Sequence, residues 1–263
     1  MGSEEPVLTE LVGGVLTITL NRPHRKNAID GPTWTLLREA IDQADGSPEV
    51  RALVITGAGG DFCAGADLGN PGADPHPLRG LQRINQAALR LHQLRIPSIA
   101  KVPGVAVGAG WNLALGCDLV VASRAARFSQ IFAKRALSID FGGSWLLPRI
   151  VGMQQAKRLV LLADMINAEE AQRLGAVTYV VEPDELDGFV TELAARLAAG
   201  PPIALAQSKA LLNESFSRTM SEALDSEARV QAVNVGTADA GVAYRAFRDQ
   251  TEPTFTGEWG MPG

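Results

Sequence analysis

Two segments of this chain place small residues where a backbone could be approached closely: Phe62-Cys63-Ala64-Gly65-Ala66-Asp67-Leu68 and Gly104-Val105-Ala106-Val107-Gly108-Ala109-Gly110-Trp111-Asn112-Leu113. A ligand can lie against such a main chain, and exposed N–H groups then act as donors. The second segment also opens a helix, whose first N–H groups lack partners and attract negative charge. The chemistry on offer is stabilisation of an oxyanion by main-chain dipoles. Close strand–helix packing would select the same residues, so either segment alone leaves both readings open.

The elements that must position these segments follow from periodicity. Val15 to Leu20 alternates and is β-branched, and Gly13-Gly14 joins it in a hairpin to residues 7–12. Residues 32–44 read as a helix, with Pro32 near its start and Leu36, Leu37, Ala40 and Ile41 at helical spacing. Arg51 to Thr56 is a continuous apolar run, as in a buried parallel strand. Residues 69–80, rich in Gly and Pro, predict a mobile lid, and residues 81–95 a helix. Ser98–Val102, Val105–Val107, Leu119–Ala122 and Val177–Val181 predict strands, with a short helix over 109–116. Asn167-Ala168-Glu169-Glu170 predicts a capping box and a helix that stops at Gly175. From about residue 184 the pattern is helical, broken at Pro201-Pro202 and Gly236-Thr237. Alternating elements followed by helices alone indicate an α/β core with a helical C-terminal region.

Composition removes several function classes. The chain has 263 residues, 46% hydrophobic and 20% charged, enough to bury a sizeable core. Lys and Arg total 24 against 29 Asp and Glu, a net charge of −5, so no basic excess points to nucleic acid. Cys63 and Cys117 make neither a disulfide framework nor a metal quartet, and reduced thiols fit a cytoplasmic location. The sequence lacks a basic leader with an apolar stretch, and its longest apolar run is broken by Asn112 and Asp118, so no membrane span is expected. G-x-S-x-G, Walker A and H-E-x-x-H are missing, and His24, His76 and His92 are scattered, as surface residues would be. Gly57-Ala58-Gly59-Gly60-Asp61-Phe62 is a poor dinucleotide fingerprint, because Phe62 stands where a small residue must pack. Neither a metal nor a permanently bound cofactor is expected.

The two segments gain specificity beside Asn21-Arg22-Pro23-His24-Arg25-Lys26-Asn27-Ala28. In that order the chain resembles the crotonase family, also called the enoyl-CoA hydratase/isomerase superfamily. Phe141-Gly142-Gly143-Ser144-Trp145-Leu146-Leu147-Pro148-Arg149, Ala168-Glu169-Glu170-Ala171, Leu174-Gly175-Ala176-Val177 and the tail from Thr237 to Phe255 match further family blocks. The resemblance spans about residues 7 to 255. It implies a crotonase-like ββα spiral core over residues 1–200 that binds an acyl-CoA. It also implies an all-helical trimerisation region over 201–263, giving a homotrimer or a hexamer as a dimer of trimers. The ligand implied is a coenzyme A thioester, bound as substrate. The two N–H groups that hold the thioester oxygen fall on Ala66 and Ala109. Coenzyme contacts fall on Arg25, Ala28, Ala64, Ala66, Asp67 and Leu68, with Lys209 serving a neighbouring subunit. Arg25 could equally be a solvated turn residue, and Asp67 could hold the loop that presents Ala66.

The chain departs from the hydratase pattern at both water-activating glutamates. Those positions hold Asn112 and Phe132. Asn cannot act as a general base, and Phe excludes the water that hydration consumes. The acid that remains is Asp140, in Ser138-Ile139-Asp140-Phe141-Gly142-Gly143-Ser144. This run resembles the isomerase branch acting on 3-enoyl-CoA or on the ring-epoxide of phenylacetyl-CoA, although Ile139 replaces that branch's usual proline. One carboxylate suits isomerisation: it takes a proton at one carbon and returns it at another while the oxyanion donors hold the dienolate. Burial against Phe132 and Trp111 would raise its pKa. Asp140 could alternatively cap the following helix or act as a nucleophile. Asn112 could orient the thioester or the acid, or be a satisfied core amide, and Trp111 could be pocket wall or core. The expected function is an acyl-CoA-dependent isomerase. The alternatives are an enoyl-CoA hydratase of fatty-acid β-oxidation and a non-catalytic acyl-CoA-binding homologue.

Overall fold

The computed structural model describes residues 5–69 and 76–260. The hairpin forms as the sequence predicts: β1 (Val7–Val12) pairs antiparallel with β2 (Val15–Leu20). In β2 the alternation is real, since Leu16, Ile18 and Leu20 are buried while their neighbours are less so. Helix α1 (Gly31–Gly46) starts where the Asp30 carboxylate accepts from the Thr33 N–H at 3.0 Å. It turns Trp34, Leu37, Ile41 and Ala44 into the core. Burying Leu37 and Ile41 stabilises the fold by roughly 2 kcal/mol each.

A repeating order follows. After α1 come β3 (Ala52–Gly57) and α2 (Pro77–Gln93), then β4 (Ser98–Val102), β5 (Val105–Val107) and α3 (Ala109–Leu115). Next come β6 (Leu119–Ser123), β7 (Arg127–Ser129) and α4 (Gly143–Val151). Then follow α5 (Met153–Leu162), β8 (Ile166–Asn167), α6 (Ala168–Arg173) and β9 (Tyr179–Val181). The larger sheet has the order β1-β2-β3-β4-β6-β9, parallel except for the hairpin. The smaller sheet has the order β5-β7-β8, and isolated bridges from Cys63 to Ala106 and from Ile29 to Ala66 continue the same layer. The β4-β5-α3 and β6-β7-α4 turns each lay one strand in each sheet and then a helix, which is the ββα spiral expected. Helices α7 (Leu186–Ala199), α8 (Pro202–Glu214), α9 (Met220–Val235) and α10 (Ala238–Asp249) close the chain. Among the described residues no helix is long and apolar enough to cross a membrane.

Several expectations need correction. Helix α2 begins at Pro77, four residues before the expected 81, because a proline fits the first helical turn and Gly80 is carried inside it. Of the lid expected over 69–80, residues 70–75 lie outside the described residues, and 77–80 form the first turn of α2 instead of loop. Strand β9 is shorter than 177–181. Strands β7 and β8, of three and two residues, carry too little pattern to be read from sequence. At α6 only half of the capping box forms: Asn167 caps the Glu170 N–H at 2.8 Å, while the Glu170 carboxylate turns to Arg158. His92, read as a surface residue, is half-buried with its ring edge-on to Trp145 at 5.0 Å.

Candidate active site

Helix α3 is the structural centre of the site. All seven of its residues are buried. It can lie that deep because it presents small residues: a Cβ on Gly110 would come within 2.8 Å of the Cys63 sulfur. Its N-cap, Gly108, has φ 56 and ψ −129, a conformation that strongly favours glycine. The Gly108 N–H donates to the Ser129 carbonyl at 2.9 Å, which fixes the helix start against β7.

The loop after β3 is laced to the same place. The Val107 N–H donates to the Cys63 carbonyl at 3.0 Å, the Ile29 N–H to Gly65 at 2.8 Å and the Asp67 N–H to Ile29 at 2.9 Å. Gly65, at φ +89, passes so close to the helix start that a Cβ there would lie 2.9 Å from the Val107 oxygen and 3.6 Å from the Ala109 nitrogen. This brings Ala66 and Ala109 to one locus. Among the described residues neither N–H donates a hydrogen bond. The locus therefore offers two main-chain donors beside the positive end of a helix.

The coenzyme candidates also converge. The Ala64 N–H donates to the Lys26 carbonyl at 2.9 Å, joining the Arg25–Ala28 turn to the Ala64–Leu68 loop. Arg25 and Leu68 are exposed on this edge. Asp67 is nearly buried and bound to Arg22 at 2.9 Å and to the Gly69 N–H at 3.1 Å. Burial pushes its carboxyl up, but the Arg22 and Gly69 hydrogen bonds and the charges of Arg22 and Arg25 outweigh this and hold it below the ordinary carboxylate range. Asp67 thus braces the loop through Arg22 and the Gly69 N–H. The Lys209 ammonium donates to Asp118 at 2.8 Å and to the Ile96 carbonyl at 3.0 Å.

Asn112 sits one turn after Ala109. Its Nδ2 donates to the main-chain oxygen of Asp140 at 2.9 Å, and its Oδ1 accepts from Gln130 Nε2 at 2.8 Å. Asp140 precedes α4 but does not cap it, since the N-cap is Gly142 and no side chain caps the helix. Its Oδ1 is buried with no hydrogen-bond partner among the described residues. Burial alone raises its carboxyl to about 6. The next residue, Phe141, is held at φ 48 by packing its buried ring on Trp34 at 5.0 Å. A non-glycine residue there costs about 1–2 kcal/mol, which the packing offsets. Phe132 is buried on the 3₁₀ turn Ile131–Arg135, and a Cβ on Gly108 would lie 3.6 Å from its ring. An apolar side chain thus covers the start of α3. Trp111 is core, fully buried against Phe128 at 5.4 Å.

Sequence reasoning missed Arg22, Asn27 and Gln130. Arg22 anchors Asp67 and also lies 3.4 Å from Asp30. Asn27 donates to the carbonyls of Ala58 and Asp61, both at 2.8 Å, from a left-handed backbone. Both stand in the Asn21–Ala28 run, whose polar residues were the available signal. Gln130 ends the Phe128-Ser129-Gln130 run, which locates position 132 but gives the glutamine no role of its own. Both cysteines are buried, and burial pushes both thiols up, Cys63 to about 12, so neither suits a nucleophile.

The sequence profile of the family described as Enoyl-CoA hydratase/isomerase matches residues 10–258. A 1,2-epoxyphenylacetyl-CoA isomerase of Escherichia coli (strain K12) is 38% identical over 260 residues, 97% of this chain and 99% of that protein. A short-chain-enoyl-CoA hydratase of Clostridium acetobutylicum is 35% identical over 245 residues, 92% of this chain and 94% of that protein. The crystal structure of an enoyl-CoA hydratase from Polaromonas sp. JS666 superposes with a TM-score of 0.90 at 32% identity, over 95% of this chain and 99% of that one. With matches of this extent in sequence and in structure, the chain belongs to the enoyl-CoA hydratase/isomerase family.

Proposed function

We propose that this protein is an acyl-CoA-dependent isomerase that moves a double bond, with Asp140 as its single proton shuttle. The observation that carries the reading is the Asp140 carboxyl, half-buried and raised to about 6, in a chain whose two water-activating positions hold Asn112 and Phe132, which cannot ionise. On a 3-enoyl thioester, the Asp140 carboxylate takes a proton from C2. The thioester oxygen becomes an oxyanion, accepting from the N–H groups of Ala66 and Ala109, and the electron pair delocalises as a dienolate. The same carboxyl then returns the proton at C4, leaving the 2-enoyl thioester. Each main-chain donor lowers the barrier by about 3 kcal/mol. A pKa near 6 leaves the carboxylate ionised at neutral pH and still basic enough to hold a proton in transit. Phe132 keeps the water of a hydration reaction away. The name of the E. coli protein supports an acyl-CoA isomerase, without specifying a double-bond shift, whereas the Clostridium hydratase supports hydration.

The coenzyme lies along the Arg25–Ala28 turn and the Ala64–Leu68 loop in this reading, with the Arg25 guanidinium exposed for phosphate. The helices beyond residue 200 build a trimer or hexamer. Val235, Tyr244 and Phe247, exposed at 51%, 70% and 88% in the single chain, are the apolar surface such an assembly would cover. Sedimentation of the purified protein tests the assembly. The reaction is tested by offering 3-enoyl-CoA and crotonyl-CoA in parallel. Double-bond migration without matching hydration supports the isomerase, rapid hydration of crotonyl-CoA supports the hydratase, and binding without turnover supports an inactive homologue.

A further inference from the structure

Asp140 is held from behind by two buried amides in series. Gln130 and Asn112 are both fully buried, and no charged group takes part in the chain Gln130 Nε2 to Asn112 Oδ1, then Asn112 Nδ2 to the Asp140 main-chain oxygen. The polarity of this chain is forced from one end. The Asp140 carbonyl can only accept, so Asn112 must offer its NH2 there. That leaves the Asn112 oxygen facing Gln130, which must then donate. The arrangement strands the Gln130 Oε1, which is buried with no partner among the described residues. Buried polar atoms are normally satisfied, so a stranded acceptor marks a constraint placed on the other end of the same amide.

We propose that Gln130 is a positioning residue for the proton shuttle: its NH2 locks the Asn112 amide in the one orientation that ties down the Asp140 main chain. Without that donor the Asn112 oxygen is left buried and unpaired, so the amide shifts toward another partner and its tie to the Asp140 carbonyl is lost. The Asp140 loop then moves away from α3. Gln130 is well placed for this role because its own backbone leaves β7 directly after Ser129, which grips the Gly108 N–H. The start of α3 and the orientation of Asn112 are thus referred to the same short strand. The carboxyl owes its raised pKa to burial alone, so any shift of the loop toward water must lower it.

This inference rests on the reading of Asp140 as the shuttle, and the experiment keeps the two apart. Gln130→Met, Asn112→Ala and the double variant are compared with the wild type in double-bond migration, and the Asp140 carboxyl is titrated in each by NMR. Gln130→Met is expected to lower kcat about tenfold with KM within about twofold, since the donors at Ala66 and Ala109 are untouched. The double variant is expected to be no slower than Asn112→Ala, because both substitutions break one chain. The Asp140 carboxyl is expected to fall toward the ordinary carboxylate range in all three. An unmoved carboxyl, an unchanged kcat, or losses that multiply in the double variant would overturn the proposal. Should Gln130→Met not fold, Gln130→Glu has the same shape and sets an acceptor where the donor stands, so the same loss is expected at neutral pH. If neither variant folds, the amide is structural and the proposal is overturned. Turnover that survives Asp140→Asn would reject the shuttle, whereas the carboxyl titration would still decide whether Gln130 sets the environment of Asp140.

Discussion

The Asn112 amide and the main-chain oxygen of Asp140 meet at 2.9 Å across the contact between α3 and α4. Gly143 makes that approach possible, because a Cβ there would run into the Asn112 amide. The helix that carries one proposed oxyanion donor thereby also fixes the acid. Gly143→Ala is expected to push α4 off α3, lowering kcat at least tenfold and stability by about 1–3 kcal/mol. Steady-state kinetics and urea unfolding check both effects, and an unchanged kcat would separate the contact from the chemistry.

The pH dependence has a definite sign. The Asp140 carboxyl stands at about 6 in the fold against an ordinary 3.8. As a base it must be ionised, so kcat/KM is expected to fall below a pH of about 6. For stability the sign is reversed. A raised carboxyl favours the protonated fold, so its contribution is complete below pH about 4 and lost as pH rises through about 6. Asp140→Asn is therefore expected to be more stable than the wild type at pH 8 by on the order of 2 kcal/mol, allowing for the part of the side chain that water reaches. Thermal melts of both proteins at pH 4 and pH 8 should show that gap closing at the lower pH.

The donor at Ala109 can be removed by proline, whose ring takes the place of the N–H hydrogen. Proline is tolerated in the first turn of a helix, and Ala109 is the first residue of α3. Ala109→Pro is expected to keep the fold and lower kcat by about 10²- to 10³-fold. Circular dichroism checks the fold and turnover checks the loss. Retained turnover would mean that this N–H does not hold the thioester oxygen.

Arg22 ties the Asp67 loop to the N-terminus of α1 through Asp67 at 2.9 Å and Asp30 at 3.4 Å. Removing one partner of such a part-buried network strands the others. Arg22→Ala is expected to cost roughly 2–3 kcal/mol of stability and to raise KM for the thioester, because the Ala64–Leu68 loop loses its brace. Urea unfolding and Michaelis kinetics test the two effects separately.

How much of this could be read in the sequence varies along the chain. Elements with six or more patterned residues, such as β2 and α1, were legible because burial imposes its own period. Strands β7 and β8 were not, because three and two residues hold no period. The glycines were legible as close approaches, and Gly65 and Gly110 prove to be such places, while Gly108 is required by its positive φ of 56. Asp140 was legible as a lone acid where Asn112 and Phe132 leave no other ionisable group. Whether it caps α4 was not, because that depends on which way a carboxylate turns. Gln130 stayed hidden for the same reason: its importance lies in the direction of an amide, and one glutamine in a sequence has no direction.

The most direct test of the account is turnover of a 3-enoyl-CoA by Asp140→Asn beside the wild type, with thioester affinity measured on both. The account predicts that double-bond migration falls by at least about 10³-fold while the affinity stays within about twofold, since the carboxyl moves the proton and the main-chain donors hold the substrate. Migration that continues within tenfold of the wild-type rate would contradict it and place the base elsewhere.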